Sequence, residues 1–311
     1  MDTRIDIPAV HSFDAIRELA AQKCATKRPR AAIVAPHEAD TLPALARAVQ
    51  QGLIDPTVVG DERLFLQAAS NYYLDATRTK IIDINQPDLA VRTAARMAAA
   101  GEIDIIVQGR IDPDRMVGLL TGADCGISPA GSVLSHVGVL MPVRYPKLML
   151  VTDGLVHDSP DLANKISLLG NLARVSKALG IADPRTAVVT AVEAIHPQMP
   201  ATTDAAVLAK MYERGQIKGL RVDGPLSFDI AVDFFAAESK GIRNSIVAGQ
   251  ADAILASTKH VAQGVYQAMA LFGNCETGGV LVGGLVPVAI SFACEAGDAR
   301  YNSIMLACLM A

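Results

Sequence analysis

A hydroxyl and an acid follow the last apolar run of the sequence. The stretch PVAISFACEAGDARYNS, residues 287 to 303, reaches Ser291 at the end of a predicted strand and Asp298 seven residues later, with no positive charge beside the hydroxyl. One interpretation is a functional pair. The other is structural, with a hydroxyl at a strand end and an acid that caps the helix RYNSIMLACLM.

Other predicted strand ends share this polar character, with glycines, small hydroxyls and single acids. They lie in the opening segment and in VQGRIDPDRM (107 to 116), GSVLSHVGV (131 to 139), VTDG (151 to 154) and RVDGPLSFD (221 to 229). In open α/β sheets, ligands bind at the carboxyl ends of the strands. The pattern therefore predicts a cleft that binds polar groups largely through backbone and hydroxyl donors.

The segment DGPLSFD allows two interpretations. Asp223, Gly224 and Pro225 predict a tight turn after a strand, and Asp229 opens a helix whose positive end could hold an anion. Alternatively, Ser227 or Asp229 only caps that helix. The sequence leaves both open.

Several signatures of bound cofactors and metals are missing from the sequence. Neither GxGxxG nor GxxxxGK[ST] occurs, and the six histidines show no HxxxH or HExxH spacing. Single histidines are mostly structural, but Ser135 and His136 interrupt an apolar run where folding needs neither. The five scattered cysteines, without CxxC, are typical of small core residues rather than of a disulfide framework or a zinc site.

Composition narrows the class of protein further. The 311 residues are 51% hydrophobic and carry a net charge of -4, which gives no reason to expect nucleic acid or an anionic membrane as partner. The longest uncharged stretch, 277 to 294, contains four glycines and Pro287, so it indicates strand, turn and strand instead of a membrane span. The start MDTRIDIPAV has no apolar core of a signal peptide, which predicts a cytoplasmic protein.

Predicted strands and helices alternate along the chain, as in an α/β protein. Short β-branched runs such as RAAIVA and KIIDI alternate with Ala/Leu-rich stretches such as LPALARAVQQ, which predicts a doubly wound parallel sheet covered on both faces. The stretch LANKISLLGNLARVSKALGI is a predicted helix ended by Gly180. Later strands are predicted in GLRVDGPLS, ADAILAS, TGGVLVGG and PVAISFA, with helices over 229 to 240 and 262 to 273.

Long collinear motifs resemble the phosphate acetyl/butyryltransferase family. They are SHV (135 to 137), YPKLMLVTD (145 to 153), ALGIADPR (178 to 185), EAIHPQMPATTDAAVLAKM (193 to 211), RVDGPLSFDIAV (221 to 232), KGI (240 to 242), VAGQADAIL (247 to 255) and GGVLVGGLVPV (278 to 288). The resemblance covers almost the whole chain and is closest to the branch often fused to an enoyl-CoA hydratase domain.

The resemblance implies two three-layer α/β/α domains similar to isocitrate/isopropylmalate dehydrogenase. The expected domains are residues 1–154 with 280–311, and residues 155–279, with the active site in a cleft between them. The family reaction converts acyl-CoA and phosphate to acyl phosphate and coenzyme A, of the acetyl or butyryl type. Coenzyme A is a substrate, no cofactor or metal is bound, and a homodimer is expected.

The resemblance also implies roles for individual residues. Asp298 would be the base that takes the proton of the coenzyme A thiol, and Ser291 would donate to the carbonyl oxygen as it gains charge. The expected substrate-binding residues are Gln108, Arg110, Ser135, His136, Asp153, Asp223, Gly224, Ser257, Thr258 and Arg300.

Three polar positions depart from the family pattern. Phe292 stands where the family has an Arg that would clamp phosphate, Gln108 stands in place of a Lys, and the usual Pro-Asp and Gly-Asn are replaced by the segment beginning at Ser257. Arg110, Arg300 and Lys259 are the expected substitutes. Three hypotheses remain: an active phosphate acyltransferase, a degenerate homologue that binds coenzyme A or acyl-CoA without turnover, and another acyl-CoA reaction with an uncharged acceptor.

Overall fold

The structure is a computed structural model that describes residues 10–37, 41–72, 74, 79–122, 127–129, 131–295 and 298–311. Two features of the sequence, the opening residues 1–9 and Cys125, lie outside the described residues. The described residues form α-helices and β-strands in alternation over most of the chain. No helix among them combines the length and the apolar composition needed to cross a membrane.

The strands are β1 (Arg30–Val34), β2 (Asp55–Gly60), β3 (Lys80–Asp83), β4 (Ile105–Gln108), β5 (Ser135–Met141), β6 (Met149–Thr152), β7 (Arg185–Val189), β8 (Arg221–Leu226), β9 (Ala253–Ala256), β10 (Glu276–Val282) and β11 (Val288–Ile290). The α-helices are α1 (Phe13–Thr26), α2 (Thr41–Gln50), α3 (Glu62–Ala69), α4 (Pro87–Ala99), α5 (Pro113–Thr121), α6 (Leu162–Ala178), α7 (Pro200–Glu213), α8 (Phe228–Val232), α9 (Phe234–Ser239), α10 (Lys259–Phe272) and α11 (Ala299–Met310).

The chain divides into two compact units. The first unit comprises Phe13–His136 and Glu276–Ala311, and the second comprises Val137–Cys275 with the described residues 10–12. The domain boundaries expected from the sequence, at residues 154 and 280, remain a prediction.

The first unit contains the doubly wound half of the predicted sheet. Its strands follow the order β3, β2, β1, β4, β11, β10, parallel from β3 to β11 and antiparallel between β11 and β10. All four residues of β4 are buried, as a strand covered on both faces requires. After β4, Gly109 passes so near β1 that an added Cβ would lie 2.1 Å from the Val34 carbonyl oxygen, so only glycine fits there.

The second unit has its own run of strands in the order β5, β6, β9, β7, β8. The β5 and β6 strands pair antiparallel, and the remaining pairs are parallel. Lys147, just before β6, forms a buried ion pair with Asp252, just before β9, at 2.6 Å. Asp252 also accepts from the backbone N–H of Arg185 at 2.7 Å, so one carboxylate joins the starts of three strands.

Local capping sets the helix ends. The α6 helix begins after Asp161, whose side chain accepts from the Asn164 N–H, and the chain leaves it through Gly180 at a φ of 71°. The helix predicted over 229 to 240 is two short helices, because the side chain of Asp233 caps a new helix by accepting from the Ala236 N–H. Such a side-chain cap competes with helix continuation.

Candidate functional site

Two strand ends of the first unit meet at Gln108 and Ser291. Because β4 and β11 are parallel neighbours, their last residues lie at the same edge of the sheet. The Gln108 Oε1 accepts from the Ser291 backbone N–H at 2.8 Å, and Gln108 Nε2 donates to the Ile111 carbonyl at 2.8 Å. Gln108 is buried, and its amide fixes the backbone from which the Ser291 hydroxyl projects.

Arg300 brings a cation to the same strand end. Its guanidinium donates to the Gln108 backbone carbonyl at 3.2 Å from the first turn of α11. None of the described residues forms a hydrogen bond with the Ser291 Oγ, although Ser291 is only 3% exposed. The structure thus brings together three sequence-predicted residues, Gln108, Ser291 and Arg300.

Phe292, at the position of the family arginine, is a buried packing residue. Its ring meets the His136 ring edge-on, with centroids 5.4 Å apart and an interplanar angle of 78°. Its backbone N–H donates to the Glu295 Oε2 at 2.5 Å, which closes the loop after β11. Ser135 and His136 are both buried, and His136 lies so near β10 that a Cβ on Gly279 would be 2.6 Å from its Nε2.

Asp298 lies in a cluster of arginines. Its Oδ2 accepts from Arg47 at 2.8 Å and from Arg17 at 3.4 Å, while Oδ1 has no hydrogen-bond partner among the described residues. Although Asp298 holds the N-cap position of α11, its side chain makes no capping hydrogen bond. Asp298 therefore occupies the predicted cap position through its backbone, whose carbonyl accepts from the Asn302 N–H at 2.7 Å, while its side chain is directed to two guanidinium groups.

The same arginines join three helices around Asp298. Arg17 of α1 also binds Asn302 of α11 at 3.0 Å and pairs with Glu276. Arg47 of α2 stacks over the Tyr301 ring, 3.9 Å from its centroid, as a cation–π contact. Arg17 and Arg47 carry no local sequence signal, because their contacts join residues more than 250 positions apart. No described contact joins Ser291 directly to Asp298.

Arg110 lines a different part of the first unit. Its backbone N–H donates to the Ala35 carbonyl at 2.9 Å, at the side of β4 that faces β1. There it borders a cavity of about 250 Å³ at the ends of β1, β2 and β3, together with residues that include Ala35, His37, Asp61 and Asn85. Arg110 therefore lines this cavity, whereas the guanidinium of Arg300 contacts the end of β4 at Gln108.

In the second unit, Asp153 organises the loop that follows β6. Its buried carboxylate accepts from the backbone N–H groups of Leu155, Val156 and His157 at 3.0 to 3.1 Å. The His157 Nδ1 lies 2.9 Å from the Asp153 Oδ2, and the imidazole is about one-fifth exposed. When the carboxylate fixes Nδ1 as the donor, Nε2 of a neutral imidazole becomes the acceptor. His157 was not among the predicted site residues, and its four-residue spacing from Asp153 is the one signal that could have suggested it.

Three acidic side chains lie in or beside the DGPLSFD segment. The Asp223 carboxylate accepts from the Gly224 N–H at 2.8 Å. The predicted tight turn after a strand is wrong, because Asp223, Gly224 and Pro225 lie within β8, which pairs with β7 on both sides of them. The Ser227 Oγ lies 2.7 Å from a Glu193 oxygen and 2.6 Å from an Asp229 oxygen, so the two carboxylates share its single O–H donor. The hydrogen bond from Ser227 lowers the pKa of both carboxyl groups. The anion-binding interpretation of this helix start stays a prediction, and the five-residue length of α8 and the two acids at its first turn disfavour it.

The segment after β9 begins α10. The Thr258 side chain accepts from the Val261 N–H at 3.4 Å as the N-cap, so one predicted substrate-binding residue has a capping role. Lys259, an expected substitute cation, pairs with Asp158 at 2.5 Å, and this contact lowers the pKa of Asp158. Ser257 is half-buried between the strand and the helix. No cluster of metal-ligating side chains occurs within the described ranges.

The two units define an α/β protein in which polar groups gather at the ends of parallel strands. A family model described as "Phosphate acetyl/butaryl transferase" matches residues 87–308. The chain belongs to this family, and the family assigned from the sequence motifs is confirmed.

Curated relatives and a solved structure agree with this assignment. A phosphate butyryltransferase of Clostridium acetobutylicum is 32% identical over 284 residues, which cover 91% of this chain and 93% of that protein. A phosphate acetyltransferase of Thermotoga maritima is 30% identical over 285 residues, or 92% of this chain and 96% of that protein. The crystal structure of a branched-chain phosphotransacylase from Enterococcus faecalis matches with a TM-score of 0.75 at 23% identity. The match covers 90% of this chain and 98% of that chain. The predicted α/β fold class is thereby confirmed.

Proposed function

We propose that the chain is an acyltransferase that interconverts acyl-CoA plus phosphate with acyl phosphate plus coenzyme A, of the acetyl or butyryl type. The observation that carries this proposal is the Gln108–Ser291 hydrogen bond with Arg300 beside it, which sets a hydroxyl and a guanidinium at one strand end. Relatives named phosphate butyryltransferase and phosphate acetyltransferase support the same reaction.

Ser291 serves as the donor to the thioester or acyl-phosphate carbonyl. As a nucleophile attacks, negative charge grows on the carbonyl oxygen, and a fixed hydroxyl stabilises it. Fixing the backbone through Gln108 removes the need to reorganise that donor during the reaction. Loss of one such donor typically lowers kcat by about 10²–10³-fold.

Asp298 serves as the proton acceptor for the coenzyme A thiol. In the direction that makes acyl-CoA, the thiol sulfur forms the new bond to the acyl carbon, its proton moves to the carboxylate, and phosphate leaves. The ion pairs with Arg47 and Arg17 both use Oδ2, which supports a role for Oδ1 as the acceptor. In the reverse direction the same group returns the proton to the leaving thiolate.

Arg300 is the guanidinium that we assign to phosphate binding in place of the arginine missing at position 292. Its contact with the Gln108 carbonyl supports this assignment. The remaining predicted substrate-binding residues, among them Ser135, His136, Asp153, Asp223 and Thr258, are part of the proposal without an assigned step.

A second candidate function is binding of coenzyme A or acyl-CoA without turnover. The burial of Phe292 against His136 favours it, because a packed aromatic ring at this position provides no charge for phosphate. The two candidates differ in one measurable property, which is phosphate-dependent release of the coenzyme A thiol.

The test is a thiol-release assay with acetyl-, butyryl- and longer acyl-CoA, with phosphate or arsenate as acceptor. We expect release that depends on the acceptor, and Ser291→Ala should lower kcat by about 10²-fold or more. If no acyl-CoA turns over while coenzyme A still raises the Tm, the binding function replaces the catalytic one. Ser132→Ala is the matched control, because it removes a hydroxyl that lies outside the strand ends of β4 and β11.

Three broader features belong to the proposal. We place the chain in the branch often fused to an enoyl-CoA hydratase domain, on the sequence motifs alone. A homodimer is supported by exposed apolar side chains such as Phe235 and Phe272, which are 75% and 89% exposed. A cytoplasmic location is supported by the free thiols of Cys24, Cys275, Cys294 and Cys308. Light scattering of the purified chain tests the dimer, and a monomeric mass would contradict it.

A further inference from the structure

The sheet of the first unit changes direction beside β1. From β1 the chain continues to β2 and then β3 on one side, and it returns to place β4 on the other side. All three pairs of neighbours are parallel, so the carboxyl ends of these four strands lie at one edge. In open α/β sheets, ligands bind outside the carboxyl ends of the strands at such a switch point.

A cavity of about 250 Å³ lies at this edge, and we call it the β1–β4 cavity. Its lining includes Ala35 after β1, Asp61 after β2, Ile84 after β3 and Arg110 beyond β4. A second cavity, of about 400 Å³, shares Asp61 and Asn85 with the first. These volumes are near the lower end of the range for small-molecule sites, about 300–1,000 Å³.

Backbone contacts around Ala35 fix one border of the β1–β4 cavity. The Ala35 φ of 46° is in the left-handed region, which is uncommon for a residue with a Cβ. Its carbonyl accepts from the backbone N–H groups of His37 at 3.0 Å and Arg110 at 2.9 Å. A Cβ on Gly60 would lie 3.0 Å from the Ala35 Cα, so the end of β2 packs closely against this turn. Unusual backbone conformations that their surroundings hold in place concentrate at ligand sites.

Two charged side chains of the β1–β4 cavity have binding capacity that no described residue uses. The Asp61 Oδ1 accepts from the Leu64 N–H at 2.8 Å, whereas Oδ2 has no hydrogen-bond partner within the described ranges. The Arg110 side chain is exposed, and its guanidinium forms no hydrogen bond or ion pair with another described residue. Leu64, Ile84 and Pro87 add apolar surface to the lining. The cavity therefore combines an acceptor for hydroxyl groups, a cation for an anionic group and an apolar surface for a ring.

We propose that the β1–β4 cavity binds a nucleoside 5′-phosphate whose ribose has both hydroxyls free. The Asp61 Oδ2 accepts from the ribose hydroxyls, which is a recurrent role of a carboxylate in doubly wound nucleotide-binding folds. The Arg110 guanidinium forms charge-assisted hydrogen bonds to the 5′-phosphate, and the base lies on the apolar surface. The missing GxGxxG disfavours a dinucleotide, whose pyrophosphate needs those glycines.

Negative charge at the ribose end distinguishes this ligand from coenzyme A. The ribose of coenzyme A carries a 3′-phosphate, which the carboxylates of Asp61, Glu62 and Asp83 would repel. The groups assigned to acyl transfer, Ser291, Asp298 and Arg300, line neither cavity. A nucleotide bound here is thus a second ligand of the chain, in addition to the acyl-CoA substrate.

The test is isothermal titration calorimetry of the full chain with AMP, adenosine and adenosine 3′,5′-bisphosphate. We expect AMP to bind at least about tenfold more tightly than the other two, because adenosine lacks the phosphate and the bisphosphate is repelled by Asp61. Asp61→Asn keeps a residue suited to the N-cap of α3. This variant should weaken AMP binding about tenfold and reduce the preference for AMP over the bisphosphate. Arg110→Gln should lower the affinity for AMP to that for adenosine.

Two variants serve as matched controls and should bind AMP as the unchanged protein does. Asp55→Asn changes an exposed acid at the opposite end of β2, and Arg214→Gln changes an exposed arginine of the second unit. The Tm of each variant without ligand shows that it is folded. If Asp61→Asn does not fold, the comparison of Arg110→Gln with Arg214→Gln decides.

Three results would overturn the proposal. The first is no binding of AMP at millimolar concentration. The second is equal affinity for AMP in Asp61→Asn and Asp55→Asn, which would place the nucleotide elsewhere. The third is a bisphosphate affinity of the unchanged protein that equals its affinity for AMP. Because these titrations contain no acyl-CoA, none of the results depends on whether the chain transfers acyl groups.

Discussion

The side-chain amide of Gln108 bridges the backbones of two segments, accepting from the Ser291 N–H and donating to the Ile111 carbonyl, both at 2.8 Å. A lysine, which the family commonly has at this position, carries donors only and offers no acceptor for the Ser291 N–H. The glutamine therefore replaces a cation with a structural bridge. Its neighbour Arg300 brings a cation to the same strand end from α11.

Replacing Gln108 by leucine should destabilise the protein and impair the proposed site. The buried Ser291 N–H and Ile111 carbonyl would lose their partner, at a cost of about 1–3 kcal/mol for the free energy of unfolding. Urea unfolding measures the stability, and thiol release measures kcat. Gln67→Leu, the same change at an exposed position of α3, should leave both unchanged. Equal stability of the two variants would show that the bridge contributes nothing.

Asp298→Asn should lower kcat by about 10²–10⁴-fold while the fold persists, because the amide accepts a proton far less readily than a carboxylate. The side chain is 48% exposed, so the change leaves no buried charge unpaired. Asp14→Asn is the matched control, since Asp14 also binds Arg17, at 2.6 Å, but lies outside the proposed site. A kcat that falls equally in both variants would assign the effect to Arg17 rather than to a base.

Phe292→Arg restores the residue type of the family and should not restore phosphate binding. Phe292 is 6% exposed and packs against His136, so an arginine would have to bury its charge or open the loop. We expect a loss of more than about 2 kcal/mol in the free energy of unfolding, with no fall in the KM for phosphate. Phe292→Leu keeps the apolar packing and is the control. A lower phosphate KM with unchanged stability would contradict this prediction.

The ion pair between Arg30 and Asp104 predicts a pH-dependent contribution to stability. Hydrogen bonds from Arg30 lower the pKa of Asp104, so the ionised carboxylate is favoured in the folded state. This stabilisation is complete above the unfolded pKa of about 3.9 and is lost as the pH falls through the lower folded value. Asp104→Asn should therefore cost about 1 kcal/mol at pH 7 and progressively less towards pH 2.

Urea unfolding of both proteins across that pH range tests the prediction. Glu18→Gln, at an exposed position of α1, serves as the control for removing one acid. A difference between Asp104→Asn and the unchanged protein that stays constant from pH 7 to pH 2 would contradict it.

Much of the fold follows from local sequence patterns. The alternation of apolar runs with Ala/Leu-rich stretches predicted the α/β class, and the strand in PVAISFA and the helix after Asp298 occur as expected. These features depend on side-chain periodicity and on turn residues such as Gly180, which act over a few positions. The strand, turn and strand predicted over 277 to 294 occur as the antiparallel pair β10 and β11, because a short turn can join only antiparallel neighbours.

The sequence by itself determined the family, the strand-end position of Ser291 and the absence of an arginine beside it. Only the tertiary structure decided that Gln108 holds Ser291, that Arg300 lies beside them, and that Arg110 lines a cavity at the ends of β1, β2 and β3. The physical reason is distance along the chain. Periodicity and capping are set by neighbouring residues, whereas a hydrogen bond or ion pair between residues 183 or 251 positions apart exists only when packing of the core brings their elements together.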